Sequence, residues 1–387
     1  MSDIRIVHVF KTAAPFTQGG LEESIRQIAL ATAVELGATC DVLTVAPDGR
    51  GQTVTADYAR VRAYPAALSI STCPLAPGML PDLWRALDAA DVVHLHAPWP
   101  FAEMAAWLRP GGRAKRVVTY HADIVNRDGL ARAYRPFITR MLAGCHAVVA
   151  TSQPYAETSP VLSRLPRRPA VIPLGIDESS YPAPAPERVA AWRARVGAGI
   201  FLFLGVLRYY KGLDVLAEAT RDVPATTVIV GDGPEGPALA ERTRDRSDLI
   251  LTGHLPDADK VALLRLARAV VLPSIQRAEA FGMSLLEGAM AGRALVSTAL
   301  GTGTDRINRH GETGLVVPSG DPVALARALN RLAAEPATAA AFGDAARARF
   351  EAHYTGRAVG RAYGRLYRQL LAGDQPSAAT TTGTTTG

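Results

Sequence analysis

An apolar run, Ala269-Val270-Val271-Leu272, leads without a break into PSIQRAEAFGMSLLEGAMAGR, residues 273–293. The run reads as a buried strand, the polar stretch after it as a loop, and the chain from about Gly282 as a helix. Strand, loop and helix in that order place the loop at the carboxyl end of a parallel sheet, where open α/β folds bind ligands. Two carboxylates bracket the turn, Glu279 in the loop and Glu287 about one turn into the helix. Between them the amides of Phe281, Gly282 and Met283 fall at the amino end of the helix, where unpaired N–H groups and the helix dipole attract anions. An anionic leaving group held by those amides, with hydroxylated groups on either side, suits this arrangement. For Glu287 taken alone, a glutamate near the positive end of a helix is an equally good account.

The whole pattern, Glu-x-Phe-Gly-x-x-x-x-Glu-x-x-x-x-Gly, is more specific. It resembles the E-x7-E signature of the GT-B nucleotide-sugar glycosyltransferases, in particular the large retaining group called family 4. The resemblance extends over about residues 4–370. It implies an α/β chain of two Rossmann-like domains facing a central cleft, the first holding the acceptor and the second the donor.

A length of 387 residues independently suggests two domains, because single cores seldom grow past about 250 to 300 residues. Cys40, Cys73 and Cys145 are far apart and form no metal-binding spacing, so they read as reduced thiols, which favours a cytoplasmic protein. The stretch SDIRIVHVF passes directly into a strand, so no secretory signal is expected, and no run of about 18 apolar residues suggests a membrane span. The net charge of +6 is spread out and forms no basic stripe with interleaved aromatics, so nucleic acid is not an expected partner.

In chain order, a strand over 4–10 is followed by a loop ending in Gly19-Gly20 and a helix over 21–36. Paired glycines let backbone approach a sugar or phosphate, or simply make a tight turn; the resemblance implies the former, facing the donor diphosphate and the acceptor. Strand and helix continue to alternate through 39–45, a Pro-rich stretch at 65–81, a helix through Trp84 and a strand at 91–96. His94 and His96 share one strand face, but no carboxylate or cysteine converges on them, and no metal site is expected. His121 ends the next strand, followed by Asp123, and is placed to touch a substrate. The family has a matching histidine at the donor sugar or reaction centre.

Residues 101–140 carry eight basic side chains, Arg109, Arg113, Lys115, Arg116, Arg127, Arg132, Arg135 and Arg140, against Glu103, Asp123 and Asp128. Such a face is either simply solvated or rests on anionic lipid, with Tyr134, Phe137 and Ile138 as apolar partners. ESSYPAPAPE, residues 178–187, reads as a linker. We therefore expect domains at 1–175 and 176–355, a helix at 356–372 crossing back to the first domain, and a disordered tail at 375–387.

The second domain opens with a strand and GVLRYYKG, where Arg208 and Lys211 are candidate diphosphate ligands. The family usually has its arginine directly after the glycine, where this chain has Val206, so Lys211 transfers directly and Arg208 by its reach. Gly231, Asp232 and Gly233 lie in a GxGxxG-like run, but Pro234 and Pro237 crowd it and no acid ends the following strand, which argues against a dinucleotide fingerprint. The resemblance instead implies a loop beside the nucleotide, with His254 and Leu255 bordering the base. Asp257 and Asp259 form a DxD at the start of a helix and read as capping and dipole pairing.

The resemblance implies a metal-independent, cofactor-free retaining hexosyltransferase in which Glu279 and His121 are catalytic. Gly19, Gly20, Arg208, Lys211, Gly231, Asp232, Gly233, His254, Leu255, Phe281, Gly282, Met283 and Glu287 would bind the donor. The wording of GVLRYYKG and YHADIV looks like the branch that transfers mannose or a related deoxyhexose from a GDP-sugar to polyprenyl-linked O-antigen glycans. A nucleotide-sugar epimerase on a GT-B-like scaffold and an inactive glycan- or nucleotide-binding protein remain open alternatives.

Overall fold

The structure is a computed structural model in which residues 4–17, 19–70, 73–124 and 129–373 are described, 129–133 by backbone alone. The chain divides into two compact units, Met1–Gly175 with Gly356–Gly387, and Ile176–Thr355. Each is built around its own sheet.

The first unit contains β1 (Arg5–Val9), α1 (Gly20–Leu36), β2 (Thr39–Ala46), β3 (Gln52–Thr55), β4 (Arg60–Pro65), β5 (Leu68–Ile70), β6 (Cys73–Leu75), α2 (Leu80–Ala89) and β7 (Val92–Ala97). It continues with α3 (Pro100–Trp107), β8 (Lys115–Tyr120), α4 (Gly129–Ala143), β9 (Ala147–Ala150), α5 (Gln153–Thr158) and β10 (Ala170–Val171). Its strands lie in the order β10-β9-β8-β7-β1-β2-β4-β3, parallel except for β3 against β4. All six residues of β7 are buried, as expected of a parallel strand covered on both faces. Strand order reverses between β1 and β7, which pair in register through His8 and His94. The crevice outside such a reversal is where α/β sheets take ligands.

The second unit contains α6 (Pro186–Val196), β11 (Ile200–Leu204), α7 (Leu213–Ala219), β12 (Thr227–Val230), α8 (Gly236–Thr243), β13 (Leu249–Gly253), α9 (Asp257–Leu266) and β14 (Ala267–Leu272). Then follow α10 (Met283–Met290), β15 (Ala294–Thr298), α11 (Thr304–Ile307), β16 (Gly314–Val317), α12 (Pro322–Ala334) and α13 (Pro336–His353). The six strands are all parallel, in the order β13-β12-β11-β14-β15-β16, and reverse between β11 and β14. The loops after β11 and β14 therefore flank the switch point, and they carry Lys211 and Glu279. The last helix, α14 (Gly356–Ala372), packs in the first unit: Arg368 pairs with Glu35 of α1 at 3.2 Å, and Tyr363 and Tyr367 are buried on the sheet.

Two expectations need correction. The chain between β2 and the Pro-rich stretch is not featureless: β3 and β4 form an antiparallel edge hairpin, and β5 and β6 pair within 65–81. β3, β5 and β6 are only three or four residues long, too short for an alternating pattern to stand out. The presumed linker is ordered structure. Asp177 Oδ1 accepts from the Ser179 amide at 3.0 Å, closing a short helical turn over Glu178–Ser180, and Pro186 opens α6. Proline at the first helical position costs no hydrogen bond, so composition alone was a poor guide there. The tail at 375–387 lies outside the described residues.

Candidate active site

The chain leaves β14 at the switch point and turns into α10 at Gly282, whose φ of 93° is left-handed. A Cβ there would lie 3.0 Å from Leu272 Cδ2 and 3.2 Å from Thr304 Cγ2, so both conformation and space call for glycine. The first amides used inside the helix are those of Leu285 and Leu286, both donating to the Gly282 carbonyl. Phe281, Gly282 and Met283 precede them at the positive end of α10.

Glu279 is 8% exposed. Its carboxylate forms an ion pair with Lys211 Nζ from the β11 loop and accepts a hydrogen bond from Ser274 Oγ at 3.2 Å. Thr302 Oγ1 donates to the Glu279 carbonyl at 2.8 Å, and the Gly303 amide to that of Ala280 at 2.8 Å. The Gly301–Thr304 loop is thus a backing for the glutamate. Burial works against the Lys211 ammonium, but the Glu279 charge and hydrogen bond outweigh it and raise its pKa above the ordinary value. Sequence reasoning assigned these two side chains to different parts of a ligand; the structure joins them. Any anion drawn to Lys211 would therefore compete with Glu279 for it. Arg208 is exposed on the same loop. Glu287 is half-buried, and the hydroxyl of Tyr181 donates to its Oε1 at 3.0 Å. Tyr181 was overlooked because it sits in a Pro-Ala-Ser run; a lone aromatic there was the available signal.

Gly231 and Gly233 answer to the protein's own backbone. A Cβ on Gly231 would lie 2.0 Å from the Gly205 carbonyl oxygen, and one on Gly233 2.4 Å from that of Leu207. They let the β12 loop lie against the β11 loop. Asp232 Oδ2 accepts from the His254 amide at 2.9 Å, which fixes the turn bearing His254, exposed, and Leu255, half-buried.

In the first unit, Gly19 precedes α1 with an extended φ of 170°, and Gly20 is the first helical residue. His121 follows β8, is 3% exposed, and its Nε2 lies 2.9 Å from His96 Nδ1. His94 is held through Nε2 by Thr119 Oγ1 and through Nδ1 by the Tyr367 hydroxyl, each at 2.7 Å. One nitrogen each of His8, His94 and His96 falls within 4.8 Å of the others, the spacing of a metal site. Both nitrogens of His94 and of His96 are already hydrogen-bonded, and among the described residues no carboxylate or thiol joins them, so the group is a hydrogen-bonded core cluster. His8 was not foreseen because it sits mid-strand in an apolar run.

Comparison with known proteins settles the family. Residues 198–335 match the model "Glycosyl transferases group 1" and residues 18–180 match "Glycosyltransferase Family 4". The D-rhamnosyltransferase WbpZ of Pseudomonas aeruginosa is 38% identical over 359 residues, covering 91% of this chain and 92% of that protein. The O-antigen chain mannosyltransferase C of Escherichia coli is 38% identical over 354 residues, covering 91% and 95%. The chain belongs to the family 4 glycosyltransferases. Its fold is GT-B: a sucrose-phosphate synthase from Thermosynechococcus elongatus superposes with a TM-score of 0.79 at 21% identity, covering 96% of this chain and 100% of that one. WaaG, a glycosyltransferase involved in lipopolysaccharide biosynthesis, does so with a TM-score of 0.70 at 18% identity, covering 94% and 99%.

Two surface features of this glycosyltransferase differ from expectation. Asp257 and Asp259 stand in the first turn of α9, as dipole pairing requires, but Pro256 is the N-cap and neither side chain caps. Asp259 Oδ1 instead accepts from Arg188 Nη1 and Trp192 Nε1 of α6, both at 2.8 Å, and Asp257 pairs with Lys260 at 2.5 Å. On the basic face, Ile138 is fully buried and Tyr134 donates to buried Glu103, so neither is an apolar partner for lipid. Among the described residues of this stretch, the large apolar side chains that are exposed are Met104, Trp107 and Leu108, 49%, 45% and 63% accessible. Arg127 and Asp128, and the side chain of Arg132, lie outside the described residues. Among the described residues no helix is long and apolar enough to cross a membrane.

Proposed function

We propose that this glycosyltransferase moves mannose or a related deoxyhexose from a GDP-sugar to a polyprenyl-diphosphate-linked glycan, with retention and without a metal, in O-antigen assembly. The observation that carries this reading is the 38% identity, over nine-tenths of both chains, to a D-rhamnosyltransferase and an O-antigen mannosyltransferase. The bond from the sugar's anomeric carbon to the diphosphate breaks, and a bond to the acceptor oxygen forms on the same face. The acceptor proton passes to the departing phosphate oxygen. Lys211 and Arg208 take the diphosphate together with the amides of Phe281, Gly282 and Met283. Glu279 faces the hexose, Glu287 the ribose hydroxyls, and His121 the hexose near the reacting carbon. Gly19 and Gly20 border the diphosphate, Gly231, Asp232 and Gly233 the nucleotide, and His254 and Leu255 the base. The enzyme works on the cytoplasmic face of the plasma membrane, touching anionic lipid through residues 101–140, where Met104, Trp107 and Leu108 adjoin Arg109.

A thermal-shift panel of GDP-, UDP-, ADP- and dTDP-sugars tests the donor, because a ligand at 100 times its Kd adds about 2.7 kcal/mol. GDP-sugars are expected to give the largest rise; a larger rise with a UDP-sugar would overturn the donor assignment. Turnover of the sugar nucleotide to an epimer without acceptor would overturn transfer itself.

A further inference from the structure

Three buried imidazoles of the first unit form an unbroken line across β1, β7 and β8. His8 Nδ1 lies 3.0 Å from His96 Nε2, and His96 Nδ1 lies 2.9 Å from His121 Nε2. The rings stack, with centroids 5.3 Å apart for His8 and His96 and 5.1 Å apart for His96 and His121. Burial drives the pKa of His8 and of His121 down to about 3 and lowers that of His96 well below its ordinary value, so all three rings are neutral near pH 7.

A neutral imidazole has one N–H and one lone pair, and a bond between two ring nitrogens needs one of each. The two bonds therefore admit two arrangements. Either every proton is on Nδ1, or every proton is on Nε2. The first leaves an N–H at His121 Nδ1 and a lone pair at His8 Nε2; the second reverses them. Both end nitrogens, His8 Nε2 and His121 Nδ1, are buried with no partner among the described residues. They are not equivalent positions. His8 is wholly buried within β1, whereas His121 follows the last residue of β8 at the carboxyl edge of the sheet. An N–H buried without an acceptor is the rarer orphan, so the proton belongs at the end nearer a ligand: His121 Nδ1, though buried, lies at the carboxyl edge of the sheet, where parallel α/β sheets take ligands.

We propose that His8 and His96 are positioning residues that lock His121 in its Nδ1–H tautomer, so that His121 offers a neutral hydrogen-bond donor to a sugar oxygen of the donor substrate. The substrate half rests on the reading above that puts His121 against the hexose; the tautomer lock does not. His94 stacks 4.4 Å from His96 but spends both nitrogens on Thr119 and Tyr367, and so stands outside the line.

Histidine-selective 15N labelling of the full chain, read by long-range 1H–15N correlation, reports which ring nitrogen carries each proton. The unliganded protein is expected to show His121 protonated on Nδ1, and a proton on its Nε2 would overturn the lock even if no variant folds. His8→Leu removes the donor to His96 and should leave His121 a mixture of tautomers. Its kcat should fall on the order of tenfold, the size of one neutral hydrogen bond. His8→Asn returns an amide N–H near the Nδ1 position and should restore both spectrum and rate. An unchanged His121 spectrum in His8→Leu would also overturn the lock. Full turnover in His121→Ala would overturn the substrate half alone, with the lock still decided by the spectrum.

Discussion

Lys211 and Glu279 hold each other with side chains only 13% and 10% exposed, and this pairing sets what their replacement should do. Removing one member leaves a buried charge unmatched, which typically costs about 3 to 5 kcal/mol, while removing both is far milder. Lys211→Met and Glu279→Gln should each lower the melting temperature, and the double variant should recover much of the loss without recovering activity. Melting curves of the three variants check this; additive losses would mean that the pair is not a unit. The kinetic consequences should separate the two glutamates. Glu279→Gln should lower kcat on the order of 10² to 10³-fold, as loss of one preorganised polar group does. Glu287→Ala should mainly raise donor KM, because ribose hydroxyls are bound alike in ground and transition states. Identical kinetic profiles would sink that division, and nucleoside diphosphate affinity that survives Lys211→Ala would place the diphosphate elsewhere.

At the scale of elements, α9 decides how to read a DxD. Its Asp259 is committed to Arg188 and Trp192 on α6, which leaves it poorly placed to hold a metal diphosphate. Asp257→Asn/Asp259→Asn should therefore keep near-normal activity in excess EDTA and lose some thermal stability through the α6 contacts. Abolition by EDTA with rescue by Mn²⁺ or Mg²⁺ would show that a metal neutralises the leaving group. At the carboxyl end of α3, Met104→Ser/Leu108→Ser should weaken sedimentation with vesicles containing anionic lipid and leave solution activity on a soluble acceptor intact. Equal sedimentation would move the lipid contact off this helix. These cases also show what the sequence could carry. Buried parallel strands such as Ile200–Leu204 are legible because both faces are covered and the run is wholly apolar. The loops after β11 and β14 follow from strand-loop-helix order. The β3–β4 hairpin, the Asp259 contacts and the Tyr181 bond to Glu287 were hidden, since each depends on segments brought together by the fold. Chain-local pattern records which residues are polar, and tertiary contact decides which partner each finds.

The two units should respond to acid differently. Four of the eight histidines, His8, His94, His96 and His121, are buried in the first unit, and burial lowers the pKa of each. A folded-state pKa below the unfolded value means stability that is present above the unfolded value, 6.5, and is lost as pH falls toward the folded one. Between pH 7.5 and 5.5 His8 and His121 each give up about 1.4 kcal/mol, and His94 and His96 add to the loss in the same direction. Glu103 acts in the opposite sense. Burial raises its pKa from 4.5 to about 7, against the hydrogen bonds from Tyr134 and the Trp99 amide, so its contribution is present at low pH and lost as pH rises through 7. Over the same interval acidification returns about 2 kcal/mol through Glu103, less than the histidines give up. The first unit should therefore lose stability on balance. In the second unit His254 and His310 are exposed and His353 is half-buried, so no comparable loss is expected there. Hydrogen exchange at the two pH values, corrected for intrinsic rates, should show β1, β7 and β8 losing protection while β11 and β14 keep theirs. Equal loss in both sheets would mean that the imidazole cluster does not govern acid stability. In Glu103→Gln the carboxyl no longer titrates, so the net loss of the first unit over this interval should grow to the histidine share alone.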